Sequence, residues 1–298
     1  MLVPMKTIVD EAYKGGYGVP ALPAHNELLI RAAIEAAVET NSPLIFLVGN
    51  FNDGEFNRKM IRHFADQVDI PIATCLDHSP SFNDCVMGIR TGVTCIMADR
   101  SMLPYEENVA QVKILADVAH AAGVSIEAEL GHVGQGDNYS VDGVSMLTDP
   151  DEAKKFIDET GVDCLAVAVG TAHGQYKGTP HIDFERLQAI NEKCGIPLVL
   201  HGGSGTGDEN ISRACTMGIA KVNVVTDVLQ ACVRALQNPP CDFTEGNNGF
   251  RLFPTAQQAA KDVAKHMFDV CGCTGKAKGT GLPGLWKPAP RADKPSAI

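Results

Sequence analysis

Ile72-Ala-Thr-Cys-Leu-Asp-His78 is a run of uncharged, mostly apolar residues that leads straight into an acid and an imidazole. A run that is apolar throughout, rather than alternating, suits a parallel strand buried on both faces. The same pattern recurs at Tyr17–Leu22, Leu44–Val48, Thr94–Ala98, Ser125–Leu130, Cys164–Val169, Leu198–His201 and Lys221–Val225, which with Ile72–Leu76 makes eight strands.

Longer amphipathic stretches lie between and after them. Asn26–Glu39 carries Leu29, Ile30, Ala33, Ile34 and Ala37 on one helical stripe, and Glu106–Ala122, Pro150–Thr160, Asp183–Lys193 and Asp208–Met217 read the same way. Thr148-Asp149-Pro150 supplies a cap and a first-turn proline, while Gly123, Gly161, Gly195 and Gly218 end their helices. Eight strand–helix alternations predict an α/β chain folded as a (β/α)8 TIM barrel rather than a doubly wound sheet. No Gly-x-Gly-x-x-Gly follows the first strand, which speaks against a dinucleotide site. The barrel is read as one domain over residues 1–275. Residues 276–298, with glycines at 279, 281 and 284 and prolines at 283, 288, 290 and 295, read as an extended C-terminal tail.

The 298 residues are 45% hydrophobic, enough for one sizeable core, and 20% charged. A net charge of −11 excludes a general nucleic-acid or anionic-membrane binder, but not an anionic small substrate held by local amides. The amino-terminal Met-Leu-Val-Pro-Met-Lys has no export pattern, and no apolar run is long enough to span a bilayer, so a cytoplasmic protein is expected. The ten cysteines contain no Cys-x-x-Cys pair and are expected to be reduced and mostly buried.

The polar residues cluster at strand ends. Asp77 and His78 end the third strand, Asp99 ends the fourth and Glu129 lies near the end of the fifth. His173 follows the sixth, His201 ends the seventh, and Asn223, Thr226 and Asp227 end the eighth. In a barrel these ends share one face, where active sites of this architecture form. Three imidazoles with nearby carboxylates suit a catalytic zinc, one per subunit, with a position open for substrate. The competing reading is of surface histidines with no shared task, like several of His25, His63, His120, His132, His181 and His266. Gly174, the run Gly202-Gly-Ser204-Gly205, and Asn223 with Thr226 follow strands and offer amides and hydroxyls to a phosphate, with Lys177 as a point charge.

Several segments together resemble the class II, metal-dependent ketose-bisphosphate aldolases, in particular the tagatose- and fructose-bisphosphate branch. They are Cys75-Leu-Asp-His78, Glu127-Ala-Glu-Leu-Gly131, Gly170-Thr-Ala-His-Gly174 with Tyr176-Lys177, Leu200-His-Gly-Gly-Ser-Gly205, Lys221-Val-Asn-Val-Val-Thr-Asp227 and Cys271-Gly-Cys-Thr-Gly-Lys-Ala277. The resemblance implies reversible cleavage of a phosphorylated ketose, such as fructose or tagatose 1,6-bisphosphate, to dihydroxyacetone phosphate and an aldehyde. It implies His78, His173 and His201 as zinc ligands, Asp77 as the acid/base residue, and Asp99 and Glu129 as auxiliary metal positions. For Asp77 the other reading is an orienter of a histidine. Asn26 falls on a substrate-binding position, and Arg251 resembles an arginine that reaches a neighbouring subunit, implying a homodimer or homotetramer. A monovalent cation, Na+ or K+, is implied near the phosphate.

Three segments depart from that pattern. Relatives carry a mobile loop with a glutamate where this chain reads Gly134-Gln-Gly-Asp-Asn-Tyr139. Asp137 is the nearest carboxylate and is read as its catalytic substitute, with Asp142 as the other candidate and an ordinary turn residue as the rival reading. Ala21-Leu-Pro-Ala-His-Asn26 keeps Asn26 but has Pro23 where relatives have asparagine. Arg100 stands where relatives have glycine, either greeting an anion or facing solvent. These changes leave open a modified ketose 1-phosphate with another acidic tail, or a non-catalytic aldolase-like subunit. A Schiff-base lysine aldolase using Lys221 would leave three histidines without a role.

Overall fold

The eight apolar runs do form parallel strands, because only a closed sheet covered by helices can bury both of their faces. In the computed structural model, which describes residues 1–49, 53–134, 140–141, 144–145, 147–174, 176 and 180–279, they close one barrel. The barrel strands are β1 (Val19–Pro23), β2 (Leu44–Val48), β3 (Ile72–Ser79), β4 (Cys95–Ala98), β5 (Ser125–Leu130), β8 (Cys164–Val167), β9 (Leu198–Leu200) and β10 (Ile219–Asn223). They neighbour one another in chain order, and β10 pairs with β1 to complete the ring. Two short strands, β6 (Ser140–Val141) and β7 (Val144–Ser145), form a separate antiparallel pair after β5.

The helices are α1 (Met5–Gly15), α2 (Glu27–Thr40), α3 (Gly54–Ala65), α4 (Phe82–Arg90), α5 (Tyr105–Ala121), α6 (Pro150–Thr160), α7 (Phe184–Cys194), α8 (Asp208–Thr216), α9 (Thr226–Gln237) and α10 (Leu252–Val270). Asn26 caps α2 by accepting from Leu29 N, and Asp149 caps α6 through Asp151 N and Glu152 N. Gly161 and Gly195 close α6 and α7 in the left-handed conformation, as their positions after the helical stripes predict.

Local structure shifts several strand boundaries, those of the first and last strands among them. Tyr17 and Gly18 do not begin the first strand: Tyr17 N bonds back to Ala12 O and finishes α1. The last strand starts at Ile219 and ends at Asn223, because Val225 already precedes α9. α1 itself shows a clear stripe, with Met5, Ile8, Val9 and Ala12 buried. The side chains of Phe46, Phe156 and Phe268 are fully buried, each worth roughly 1.5–3 kcal/mol of transfer free energy. Eight of the ten cysteines are buried and all are free thiols. No helix among the described residues is long and apolar enough to cross a membrane.

Candidate active site

The carboxyl end of β3 carries two adjacent site residues, which an ordinary strand would aim at opposite faces. The pairing of β3 with β4 slips between Leu76 and Ser79, and His78 takes a φ of 43°. That bulge and left-handed residue are uncommon for a non-glycine and bring Asp77 and His78 to the same cluster. Asn223 Nδ2 donates to Asp77 Oδ1 at 3.3 Å and lies 3.5 Å from His201 Nε2, so both ends of the cluster meet on one side chain.

His78, His173 and His201 converge, with one ligand atom from each lying within 4.8 Å of the others. Each ring has one nitrogen tied to an acceptor. His78 Nδ1 meets Asp99 Oδ2 at 2.8 Å, His173 Nδ1 meets the Val133 carbonyl at 3.2 Å, and His201 Nε2 meets Glu127 Oε1 at 2.9 Å. With a proton on each of those nitrogens, His78 Nε2, His173 Nε2 and His201 Nδ1 are left to face one another. His173 Nε2 is buried without a partner among the described residues, and His78 Nε2 lies 3.0 Å from His201 Nδ1. Three inward lone pairs, each oriented from behind by an acceptor, make a donor set that could hold a metal ion such as zinc and leave a position open. The residues present therefore fit the metal.

A second candidate set, His78 with Asp99 and Glu129, shares the same imidazole. Glu129 is fully buried, and its Oε1 accepts from Val133 N at 2.9 Å while Oε2 has no partner among the described residues. His132 joins this group through Ser101 Oγ at 2.8 Å and Glu129 Oε1 at 3.5 Å. Its hydrogen bond to Glu129 holds its pKa above the ordinary histidine value despite burial. His132 was one of six unassigned histidines, and only the turn after β5 reveals its place.

Charge follows these contacts. Burial opposes the His78 cation, but Asp99, Asp77 and Glu129 outweigh it and lift the group to about 9. Burial and the two neighbouring imidazoles press His173 down to about 4. Asp99 lies well below the usual carboxylate range: burial works against its charge, but His78 and Ser101 overcome it.

Beside the histidines, Tyr176 stitches the turns after β8 and β9 together. Its hydroxyl accepts from Ala172 N at 2.8 Å and reaches the Ala172 and Gly202 carbonyls at 2.6 and 2.8 Å. Two of the amides predicted for phosphate are already engaged: Gly203 N donates to Asn223 O at 3.0 Å and Gly205 N to Asp227 Oδ2 at 3.1 Å. Ser204 Oγ in turn accepts from Asp227 N, which ties this turn to the start of α9. Gly174 is exposed with a φ of 92°, Gly202 has a φ of 68°, and Thr226 opens α9 half-buried.

Other sequence-predicted residues fall elsewhere. Asn26 spends its side-chain oxygen on the α2 cap. Arg251 is exposed on the 3-10 turn Asn248–Arg251. Arg100 neither greets an anion nor faces solvent. It is buried, donating to Gln111 Oε1 at 2.8 Å and to the Ser79 and Asp99 carbonyls at 2.7 Å each. Lys221 is fully buried against Glu127, which overcomes burial and raises its pKa well above the ordinary lysine value, the reverse of a Schiff-base nucleophile. Asp137, Asp142 and Lys177 lie outside the described residues. A hollow of about 530 Å³ lined by Leu2, Arg62, Thr94 and Val124 opens near the amino-terminal ends of β3 to β5, away from the histidines.

A parallel barrel with a tri-imidazole cluster and carboxylates at its carboxyl face has the layout of a barrel enzyme whose active site could hold a metal ion. The family model for class-II fructose-bisphosphate aldolase matches residues 3–276, and the chain belongs to that family. It is a class II aldolase, a carbon–carbon lyase. The YdjI aldolase from Escherichia coli K12 is 30% identical, with a TM-score of 0.83 over 93% of this chain and 100% of that one. A putative fructose-1,6-bisphosphate aldolase from Coccidioides immitis is 28% identical, with a TM-score of 0.81 over 92% of this chain and 97% of that one. A fructose-bisphosphate aldolase from Campylobacter jejuni shares the fold at 20% identity, with a TM-score of 0.76 over 92% of this chain and 96% of that one.

Proposed function

We propose that this aldolase is zinc-dependent and reversibly cleaves a phosphorylated ketose of the fructose or tagatose 1,6-bisphosphate type to dihydroxyacetone phosphate and an aldehyde. The observation that carries this reading is the set of three inward imidazole nitrogens, each backed by its own acceptor. His78, His173 and His201 hold the zinc, with Asp99 and Glu129 as auxiliary positions. A zinc held there supplies Lewis acidity to the ketose carbonyl and its neighbouring hydroxyl.

The chain's own residues handle the protons and the phosphate. Asp77, oriented by Asn223, takes the proton from the hydroxyl that becomes the aldehyde and returns it in the condensation direction. Gly174, Gly202, Ser204, Asn223 and Thr226, with Lys177, hold the phosphate at the ends of β8, β9 and β10, beside a monovalent cation. Because the Gly203 and Gly205 amides are bonded internally, the hydroxyls and the remaining amides carry more of that contact. Asp137 moves the proton at carbon on the dihydroxyacetone phosphate half. One barrel domain spans residues 1–275, and the setting is the cytoplasm; of the tail read from the sequence, residues 280–298 lie outside the described residues. We place this chain in a homodimer or homotetramer. Leu229, Val233 and Leu236 leave one face of α9 apolar and exposed, with Phe250 and Phe253 close by in sequence beside Arg251.

The test is cleavage of a panel of ketose bisphosphates and ketose 1-phosphates, including members with an acidic tail. It is run as purified, after chelation, and with zinc restored. Chelator-sensitive, zinc-restored cleavage supports the reading, and the preferred member names the substrate. Cleavage indifferent to the chelator would overturn the metal mechanism.

A further inference from the structure

Glu127, the acceptor behind His201, has a second partner inside the barrel that no step above uses, the ammonium of Lys221. Glu127 on β5 and Lys221 on β10 are both fully buried, and β8 and β9 separate their strands in the ring. Their contact therefore runs across the barrel interior, which in this architecture is normally filled by branched apolar side chains. Burying two charges carries a desolvation penalty of several kcal/mol per ion, and an apolar pair of equal volume is often as stable or more so. Stability alone does not explain the pair.

Its hydrogen bonds do. Glu127 Oε1 accepts from Lys221 Nζ at 3.1 Å and from His201 Nε2 at 2.9 Å. Oε2 accepts from Lys221 Nζ at 2.8 Å, with the thiols of Cys75 and Cys164 at 3.8 and 4.0 Å. An acceptor-only group with so many donors around it has one orientation. His201, its Nε2 proton given to Glu127, can offer only Nδ1 to the cluster, where it meets His78 Nε2.

We propose that Glu127 and Lys221 form a buried positioning unit: Lys221 fixes the plane of the carboxylate, and Glu127 fixes the tautomer and ring orientation of His201. The inference rests on the metal reading above. Neither side chain touches substrate, and both act through His201. The same pairing explains why a lysine at this strand position need not be a nucleophile.

The decisive variants are the double replacement Glu127→Leu with Lys221→Met, which exchanges the charges for apolar side chains of similar length, and the single Glu127→Gln. Gln keeps the shape, but it turns an amide toward either the ammonium or the imidazole. Zinc affinity is measured by chelator competition, and the absorption spectrum of the cobalt-substituted protein reports ligand geometry. The expected result is a double variant that melts near or above the wild type, binds zinc about 10- to 100-fold more weakly, and shows a shifted cobalt spectrum. Glu127→Gln should move both readouts in the same direction, and it decides the matter should the double variant fail to fold. A folded variant with wild-type zinc affinity and an unchanged cobalt spectrum overturns the positioning role alone. A wild-type chain that takes up no zinc overturns the metal reading, and this inference with it.

Discussion

Zinc affinity should rise with pH by one proton's worth over the neutral range. In the metal-free chain His78 titrates at about 9 and His173 at about 4. Between roughly pH 6 and pH 8 His78 thus carries an extra proton and His173 does not. The geometry accounts for that proton. His78 Nε2 and His201 Nδ1 stand 3.0 Å apart, a distance at which two bare lone pairs would repel and a shared hydrogen binds. Zinc must displace it, so affinity gains about tenfold per pH unit and about a hundredfold over two units, or ~2.7 kcal/mol. Chelator competition across this range gives the slope, and calorimetry in two buffers of different ionisation enthalpy counts the protons. A flat affinity, or release of two protons or more, would refute the reasoning. The stability of the metal-free chain runs the other way. The folded His78 pKa lies above its unfolded value of 6.5, so its contribution is complete below about pH 6.5 and lost as pH rises through 9. The melting temperature of the metal-free chain should therefore decline over that window, while the benefit of added zinc grows.

Asp77→Asn should lower kcat by about 10²- to 10⁴-fold, the usual size of a lost acid/base group, with zinc stoichiometry retained. An activity loss accompanied by zinc loss would recast Asp77 as an orienting residue. Gly203→Ala would place a Cβ 2.6 Å from Val222 Cγ1 and 2.8 Å from the Asn223 carbonyl, both at the strand end that forms the site. A destabilisation of about 1–3 kcal/mol is expected, read as a fall in the urea midpoint. Asn26→Ala removes the α2 cap and should destabilise the chain by about 1 kcal/mol in the same assay. An accompanying rise in KM would show that Asn26 also serves substrate.

Much of the candidate site's placement was legible because strand ends in a barrel are equivalent positions. Asp77, His78, Asp99, Glu129, His201 and Asn223 each end or nearly end an apolar run, and a barrel gathers such ends on one face. Other features were hidden because they depend on partners distant in the chain. Arg100 looks like a charge at the mouth, yet it folds under to hold the Ser79 and Asp99 carbonyls. Lys221 looks like a nucleophile until Glu127, 94 residues earlier, is found against it. The turn after β9 looks rich in open amides, but Asp227 and the Asn223 carbonyl already use two of them. The stripe of α1 was present in the sequence and would have been found by the same periodicity that reveals α2.

By itself the sequence determined the barrel, since runs apolar on both faces and separated by amphipathic helices have few other ways to bury their surface. It also determined which residue types reach the carboxyl face. The tertiary structure decided which nitrogen of each histidine points inward, because that choice belongs to Asp99, the Val133 carbonyl and Glu127 behind the rings. It also decided that neighbouring Asp77 and His78 reach the same cluster, through a bulge and a left-handed residue that strand periodicity does not predict. Hydrophobic burial is a property of the local pattern, whereas the direction of a lone pair is set by whichever acceptor the fold brings up behind it.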